Sequence, residues 1–159
     1  MNARFPLSLR HRQHGAAAIE FALLFMLFFV VFYALVSYAI AMMLQESFQH
    51  AAEEGARAAL AVDPLAYSSQ SDYVASGVEP QVRSIVGTSL DWLPAKAKTK
   101  VLGTGNANVG VSVSGSTLTV QVAYTDYVGD PLLPILTIPV IGAVPKLPDD
   151  LSGKAVLQL

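Results

Sequence analysis

The sequence predicts an α+β fold: a long N-terminal transmembrane helix that continues into an amphipathic stalk, then a small antiparallel sheet packed against helices. Three observations predict it. The 24 residues from Phe21 to Leu44 carry no charge. From Leu44 to Val62, apolar and small residues recur at spacings of three and four, the period of a helix with one buried face. Two strictly alternating runs, 109–113 and 118–124, flank the turn signal Ser114-Gly115-Ser116-Thr117. The boundaries that follow are a basic leader at 1–15, a transmembrane helix at 16–44, a stalk helix at 45–62 and an extracytoplasmic α+β domain at 63–159.

Composition narrows the function classes. The 159 residues carry a net charge of −2. The leader holds Arg4, Arg10 and Arg12 and no acid, so the rest of the chain carries −5 (−2 less the leader's +3). Lys96, Lys98 and Lys100 are the only further basic group, read as a solvated strand face, and no nucleic-acid partner is expected. Cysteine is absent, which excludes disulfides and thiolate metal sites. The three histidines are His11, His14 and His50, so the domain beyond the stalk has none for a catalytic triad or a zinc site. A phosphate-binding glycine loop, HExxH and Gly-x-Ser-x-Gly are all missing. Asp126 and Asp130 flank Tyr127-Val128-Gly129 without further oxygen ligands at regular spacing, and read as surface acids rather than a calcium site. Neither an enzyme nor a cofactor is expected.

The uncharged run is long enough to cross a bilayer, whose hydrocarbon core of about 30 Å needs roughly 20 apolar residues in a helix. Helix is the state open to a lone segment in lipid, because it satisfies its own backbone hydrogen bonds. Three leader arginines before the run, and Glu46, Glu53 and Glu54 after it, orient the N-terminus inside and the C-terminus outside. A cleaved signal peptide is the alternative, with Ala39-Ile40-Ala41 as a formal cleavage site. It would follow about 20 apolar residues, more than the usual 7–15.

Glu20 is the unusual residue. A carboxylate at mid-bilayer costs about 2.5–3.5 kcal/mol on insertion scales and less near the interface, so it needs a partner or a shallow position. Gly15, then Ala16-Ala17-Ala18-Ile19, then Glu20-Phe21 resembles the type IV prepilin processing motif. The resemblance implies that a membrane aspartyl prepilin peptidase cuts between Gly15 and Ala16, leaving 144 of the 159 residues. The new amine of Ala16 would lie one helical turn from Glu20, and pairing within or between subunits would register neighbouring helices. A shallow, solvated Glu20 that only marks the start of the span is the other reading.

Past the span, Leu44, Phe48, Ala51, Ala52, Gly55, Ala59 and Val62 form the stalk's apolar stripe, while Glu53 and Arg57 pair on its outer side. Asp63-Pro64 ends the helix, because proline disfavours helix in the residue before it. Ala51, Gly55 and Ala59 make a ridge of small residues, suited either to the chain's own domain or to a partner helix.

The stretches Gly15-Ala16-Ala17-Ala18-Ile19-Glu20-Phe21-Ala22-Leu23 and Gln49-His50-Ala51-Ala52-Glu53-Glu54-Gly55-Ala56-Arg57 resemble the TadE-like family. Its members are minor, pseudopilin-type components of tight-adherence (Flp, type IVb) pilus systems. The resemblance covers about the first 60 residues and implies a type IV pilin-like architecture. Major Flp pilins share the helix but lack a globular part of this size, and many carry tyrosine where Phe21 stands. Partners implied by the family are the membrane, the prepilin peptidase, a second TadE/TadF-like subunit, the major Flp pilin, and indirectly the pilus platform and its ATPase. The implied location is the bacterial inner membrane, single-pass, with the domain periplasmic or extracellular, or within or at the tip of a pilus. The alternative is an unprocessed single-pass protein whose outer domain senses or binds envelope ligands.

In the domain itself, 67–77 is rich in serine and reads as a loop. Val78, Val82, Ile85, Val86 and Leu90 give a second helix, with Pro80 acceptable in its first turn. Lys98 to Leu102 and Ala155 to Leu159 are read as further strands beside the hairpin. Residues 130–149 carry Pro131, Pro134, Pro139, Pro145 and Pro148 among aliphatic residues, a density that forbids a helix or a central strand. This segment either tucks along the sheet as an ordered loop or presents an apolar surface to a partner subunit or membrane.

Overall fold

The computed structural model describes residues 14–139 and 142–159. Arg4, Arg10 and Arg12 of the basic leader lie outside the described residues. The chain divides into two compact units, Met1–Val36 and Ser37–Leu159. In the first, all described residues belong to one helix, α1 (His14–Ala59), and every residue from Gly15 to Phe29 is exposed. The second unit contains the rest of α1 and everything that folds around it.

Within that second unit α1 buries one stripe: Ala41, Leu44, Phe48, Ala51, Ala52, Ala56 and Ala59. Burying a phenylalanine such as Phe48, which is fully covered, contributes about 1.5–3 kcal/mol. The last turn tightens, with the Leu60, Ala61 and Val62 amides donating three residues back, before Asp63 caps a short 3₁₀ turn through the Leu65 amide at 2.9 Å.

A three-stranded antiparallel sheet in the order β1-β2-β5 packs against this stripe, formed by β1 (Gly110–Ser114), β2 (Thr117–Tyr124) and β5 (Leu151–Gln158). Gly115, at φ +61°, makes the turn between β1 and β2. Alternation then sends Leu118, Val120, Val122 and Tyr124 of β2 inward, together with Leu151 and Ala155 of β5. The closest approach is at Gly153. A Cβ there would stand 2.2 Å from the Gln49 amide nitrogen and 2.3 Å from the Phe48 carbonyl carbon, so strand and helix backbones touch. One residue on, the Lys154 amide donates to Gln49 Oε1 at 3.0 Å, and Gln49 Nε2 donates to Glu53 Oε1 at 2.9 Å. The terminal strand thus starts four residues earlier than the sequence suggests, because its pairing with β2 runs from Leu151 opposite Tyr124.

Three sequence expectations are corrected. The serine-rich stretch 67–77 is not a plain loop. Ser69 caps the short helix α2 (Gln70–Asp72), which runs through a π-helical segment, Tyr73–Val78, into α3 (Glu79–Ser89). Serine acts here as a cap rather than a solvent-seeking side chain, while Tyr73, Gly77 and Val78 are buried. Residues 98–102 do not form a strand but part of a helix, α4 (Ala95–Leu102), so Lys96, Lys98 and Lys100 do not share a strand face. The informative spacing is that of buried Ala97 and Val101, four apart, not the alternation of the lysines. Finally, the proline-rich segment is more than a loop: β3 (Leu136–Ile138) and β4 (Gly142–Val144) pair as a separate two-stranded sheet. Prolines lie at its margins, at 134, 139 and 145, where no ladder amide is required.

The two acids singled out as a remote calcium candidate are used by the chain itself. Lys96 and Lys100 of α4 bind the Asp130 carboxylate, the Asp130 carbonyl accepts from the Tyr124 hydroxyl at 2.7 Å, and Asp126 Oδ1 accepts from the Gly129 amide at 3.2 Å. The Lys96 hydrogen bond is the largest influence holding the Asp130 carboxyl below the usual carboxylate range, against a smaller opposing effect of burial. Burial raises the Tyr124 and Tyr127 hydroxyls above the usual phenol value.

Gly153→Ala should lower the unfolding stability of the full chain in detergent by about 2–3 kcal/mol, because backbone has to move. Gly110→Ala, whose Cβ would meet Gln121 at an ordinary 3.5 Å, should be close to neutral in the same denaturation. Because the Asp130 carboxyl titrates lower when folded, its contribution is present above the unfolded carboxylate value of about 3.9 and is lost as pH falls through the folded value. Asp130→Asn should therefore flatten the acid limb of the unfolding midpoint measured against pH, and leave the midpoint above neutrality only modestly lowered.

Candidate processing and assembly segment

The first turns of α1 hold the residues of the candidate cut. Gly15 and Ala16 stand at the second and third positions of the helix as described, and both are exposed. Among the described residues a Cβ at Gly15 would meet nothing within 4 Å, so none of them requires glycine there. Glycine in a helix costs about 1 kcal/mol relative to alanine, so helix formation does not account for its place here. Glu20 and Phe21 follow one turn later, both exposed, with Phe21 at 69%.

From Phe21 onward the exposed side chains are organised. Phe21, Phe25, Phe29 and Tyr33 stack in an i,i+4 row with ring centroids 6.1–6.4 Å apart, and Phe28 and Phe32 form a second pair at 6.0 Å. Each ring follows the previous one by four residues, a spacing that a hydropathy profile of the span does not register. The result is a face of aromatic edges starting directly after the acid. Exposed rings at this density suit lipid or a neighbouring helix and do not suit water.

Farther along α1, the small-residue ridge is occupied within the chain. Ala51 and Ala59 are fully buried, and a Cβ on Gly55 would lie 2.7 Å from Val86 Cγ2 and 3.1 Å from Val82 Cγ1 of α3. Opposite this ridge, Arg57 pairs with Glu53 at 3.2 Å, and His50 Nδ1 lies 3.7 Å from Glu54. The segment therefore has two characters. Gly15, Ala16, Glu20 and Phe21 are exposed, whereas Ala51, Gly55 and Ala59 serve the domain's own core.

Among the described residues no group of three or more His, Asp or Glu side chains is placed to hold a metal ion. The TadE-like protein family model matches residues 15–57, a stretch that begins on Gly15 and ends on Arg57. No curated protein and no solved structure matches the chain.

Valine side chains are stiff at χ1 and cannot swing aside for a larger residue at position 55. Gly55→Leu should therefore destabilise the full-length protein by about 2–3 kcal/mol in equilibrium denaturation at concentrations where it is monomeric. An undiminished stability there would mean the ridge is not required by the domain.

Proposed function

We propose that this chain, TadE-like over residues 15–57, is a minor pilin or pseudopilin that takes part in assembling a Tad/Flp (type IVb) pilus. The TadE-like segment associates the chain with Tad/Flp pilus systems and with a family of structural rather than catalytic proteins. The observation that carries the finer reading is the coincidence of three things at one place. The family match starts on Gly15, an exposed acid follows five residues later, and an uncharged helix with an exposed aromatic face follows the acid.

In this reading a prepilin peptidase removes residues 1–15 and the Ala16 amine becomes the new N-terminus. The Ala16 ammonium and the Glu20 carboxylate lie about one turn apart on the helix, so they neutralise each other within a subunit or across to a neighbour. A lone carboxylate in an apolar environment is costly, and a subunit shifted along its neighbour by a turn would leave one unpaired. Pairing therefore sets axial register. Phe21 and the ring row behind it supply the apolar contact that such a register brings together. The leader's arginines keep the N-terminus on the cytoplasmic side of the inner membrane, and the domain folds outside. The chain is then a substrate of processing and a building unit, with the peptidase, a second TadE/TadF-like subunit, the major Flp pilin and the pilus platform as its partners.

N-terminal sequencing of the membrane-extracted protein tests the reading. The expected first residue is Ala16, and Gly15→Ala should retain Met1. A wild-type polypeptide that still begins at Met1, or that begins downstream of the apolar run, overturns the proposal. Glu20→Ala should be cut normally yet lose most piliation, scored by electron microscopy of surface filaments. Normal filament number in that variant would remove the register role and leave the cut in place.

A further inference from the structure

We infer that two copies of this chain associate through the open edge of β5 and the flank of α1 beside it. The inference stands on the Ser37–Leu159 unit alone and depends neither on the cut at Gly15 nor on the pilus reading. β5 is an edge strand, paired on one side with β2. The β1–β2 turn spans two residues, so Ser114 and Thr117 exchange backbone hydrogen bonds, and by alternation so do Gly110 and Gln121. Gln121 therefore directs its backbone groups to β1, and those of Lys154, which stands opposite it on β5, point away from the sheet. The same holds at intervals of two for Ser152, Val156 and Gln158. Of these four amides, that of Lys154 alone meets an acceptor among the described residues, the Gln49 side chain. A strand of eight residues is thus left with an open edge, which folded proteins ordinarily cover or line with charge.

What lies along that edge identifies the cover. Two clefts of about 290 and 310 Å³ meet at Gln49 and run between β5 and α1, from Met42 to Arg57 on the helix. At 1.5 Å per residue the groove is about 22 Å long. Apolar surface is exposed on both walls, with Val156 at 60% and Met42 at 70%. The charges differ in what they already hold. Glu53 is taken by Arg57 and Gln49. Lys154 on the strand wall and Glu46 on the helix wall are both exposed, and neither charge has a partner among the described residues.

One free cation and one free anion in the same groove are what a two-fold contact requires, because it sets residue i against j and j against i. The levels also agree. The Lys154 amide is bonded to Gln49, and Glu46 lies three residues before Gln49, about 4.5 Å along the helix. With the two α1 helices side by side and running the same way, a two-fold axis along them brings each Lys154 ammonium to the other copy's Glu46 carboxylate. Val156 and Met42 then cover one another and keep water from the two ion pairs. A partner surface of a single sign would leave one of the two charges unanswered; a second copy answers both.

The chain has no cysteine, so a single thiol reports contacts cleanly. Val156→Cys and, on exposed α3, Ser84→Cys would each be treated with a short bismaleimide in the purified full-length protein in detergent. The thiol at 156 is expected to give a covalent dimer and the thiol at 84 little. In the Val156→Cys background, Lys154→Glu or Glu46→Lys is expected to cut the dimer yield about five-fold, because either change sets like charges together twice. Combining the two changes is expected to restore it. Thermal unfolding of each variant checks that the domain is intact, and Lys154→Gln with Glu46→Gln carries the same comparison should a reversed charge unfold it. No dimer at 156, equal yields at 156 and 84, or single charge changes without effect each overturn the inference. A double charge reversal that stays at the low yield assigns the groove to a different partner and likewise overturns it.

Discussion

The contact between Gly153 of β5 and the Phe48–Gln49 backbone of α1 is the constraint on which the second unit depends. Any side chain at position 153 would occupy space that the helix backbone already fills. With the strand held that close, Leu151 and Ala155 fall onto the helix stripe to either side, and the Lys154 amide reaches the Gln49 side chain. β5 then fixes β2 by their eight-residue register, and β2 fixes β1. Because each strand alternates strictly, a slip of one residue would turn Leu118, Val120 and Val122 to solvent. One close approach therefore selects the register of the whole sheet.

The helix serves two different environments along its length. Up to Val36 its described residues bury little, and aromatic rings line up along the same helix. From Ser37 onward its stripe is consumed by the domain: Ala51 and Ala59 are fully buried and Gly55 is closed over by Val82 and Val86. This separation matters for function. A surface available for association has to lie where the chain does not satisfy itself, and Gly15 to Phe29 meets that condition while Ala51 to Ala59 does not.

The loop-to-strand region shows how local chemistry and tertiary placement exchange roles. Asp126, at φ +55°, turns the chain after β2, and its amide donates to Asp150 Oδ1 while the Tyr127 amide donates to the Asp149 carbonyl. The acids around this turn are therefore bound to amides and lysines, and Tyr124 and Tyr127 stack edge-on at 5.2 Å beneath them. The Asp149 carbonyl and the Asp150 carboxylate, both on exposed residues, thus hold the start of β5 to this turn.

Features with a local cause are legible in the residues alone: the uncharged run, the stripe of α1, the β1–β2 hairpin and the Gly15–Glu20 spacing all follow from periodicity, charge and turn chemistry within a few residues. Local pattern misleads at residues 96–102 because alternating lysines mimic a strand until Ala97 and Val101 are seen to share a buried face. It misleads at 67–77 because a capping serine and a loop serine are the same letter. Packing alone brings Gly153 to α1, Gly55 to α3 and Tyr38 to Lys146, because each contact joins residues distant in the chain. Such contacts exist only once packing has brought two backbones together, and no local pattern encodes which two.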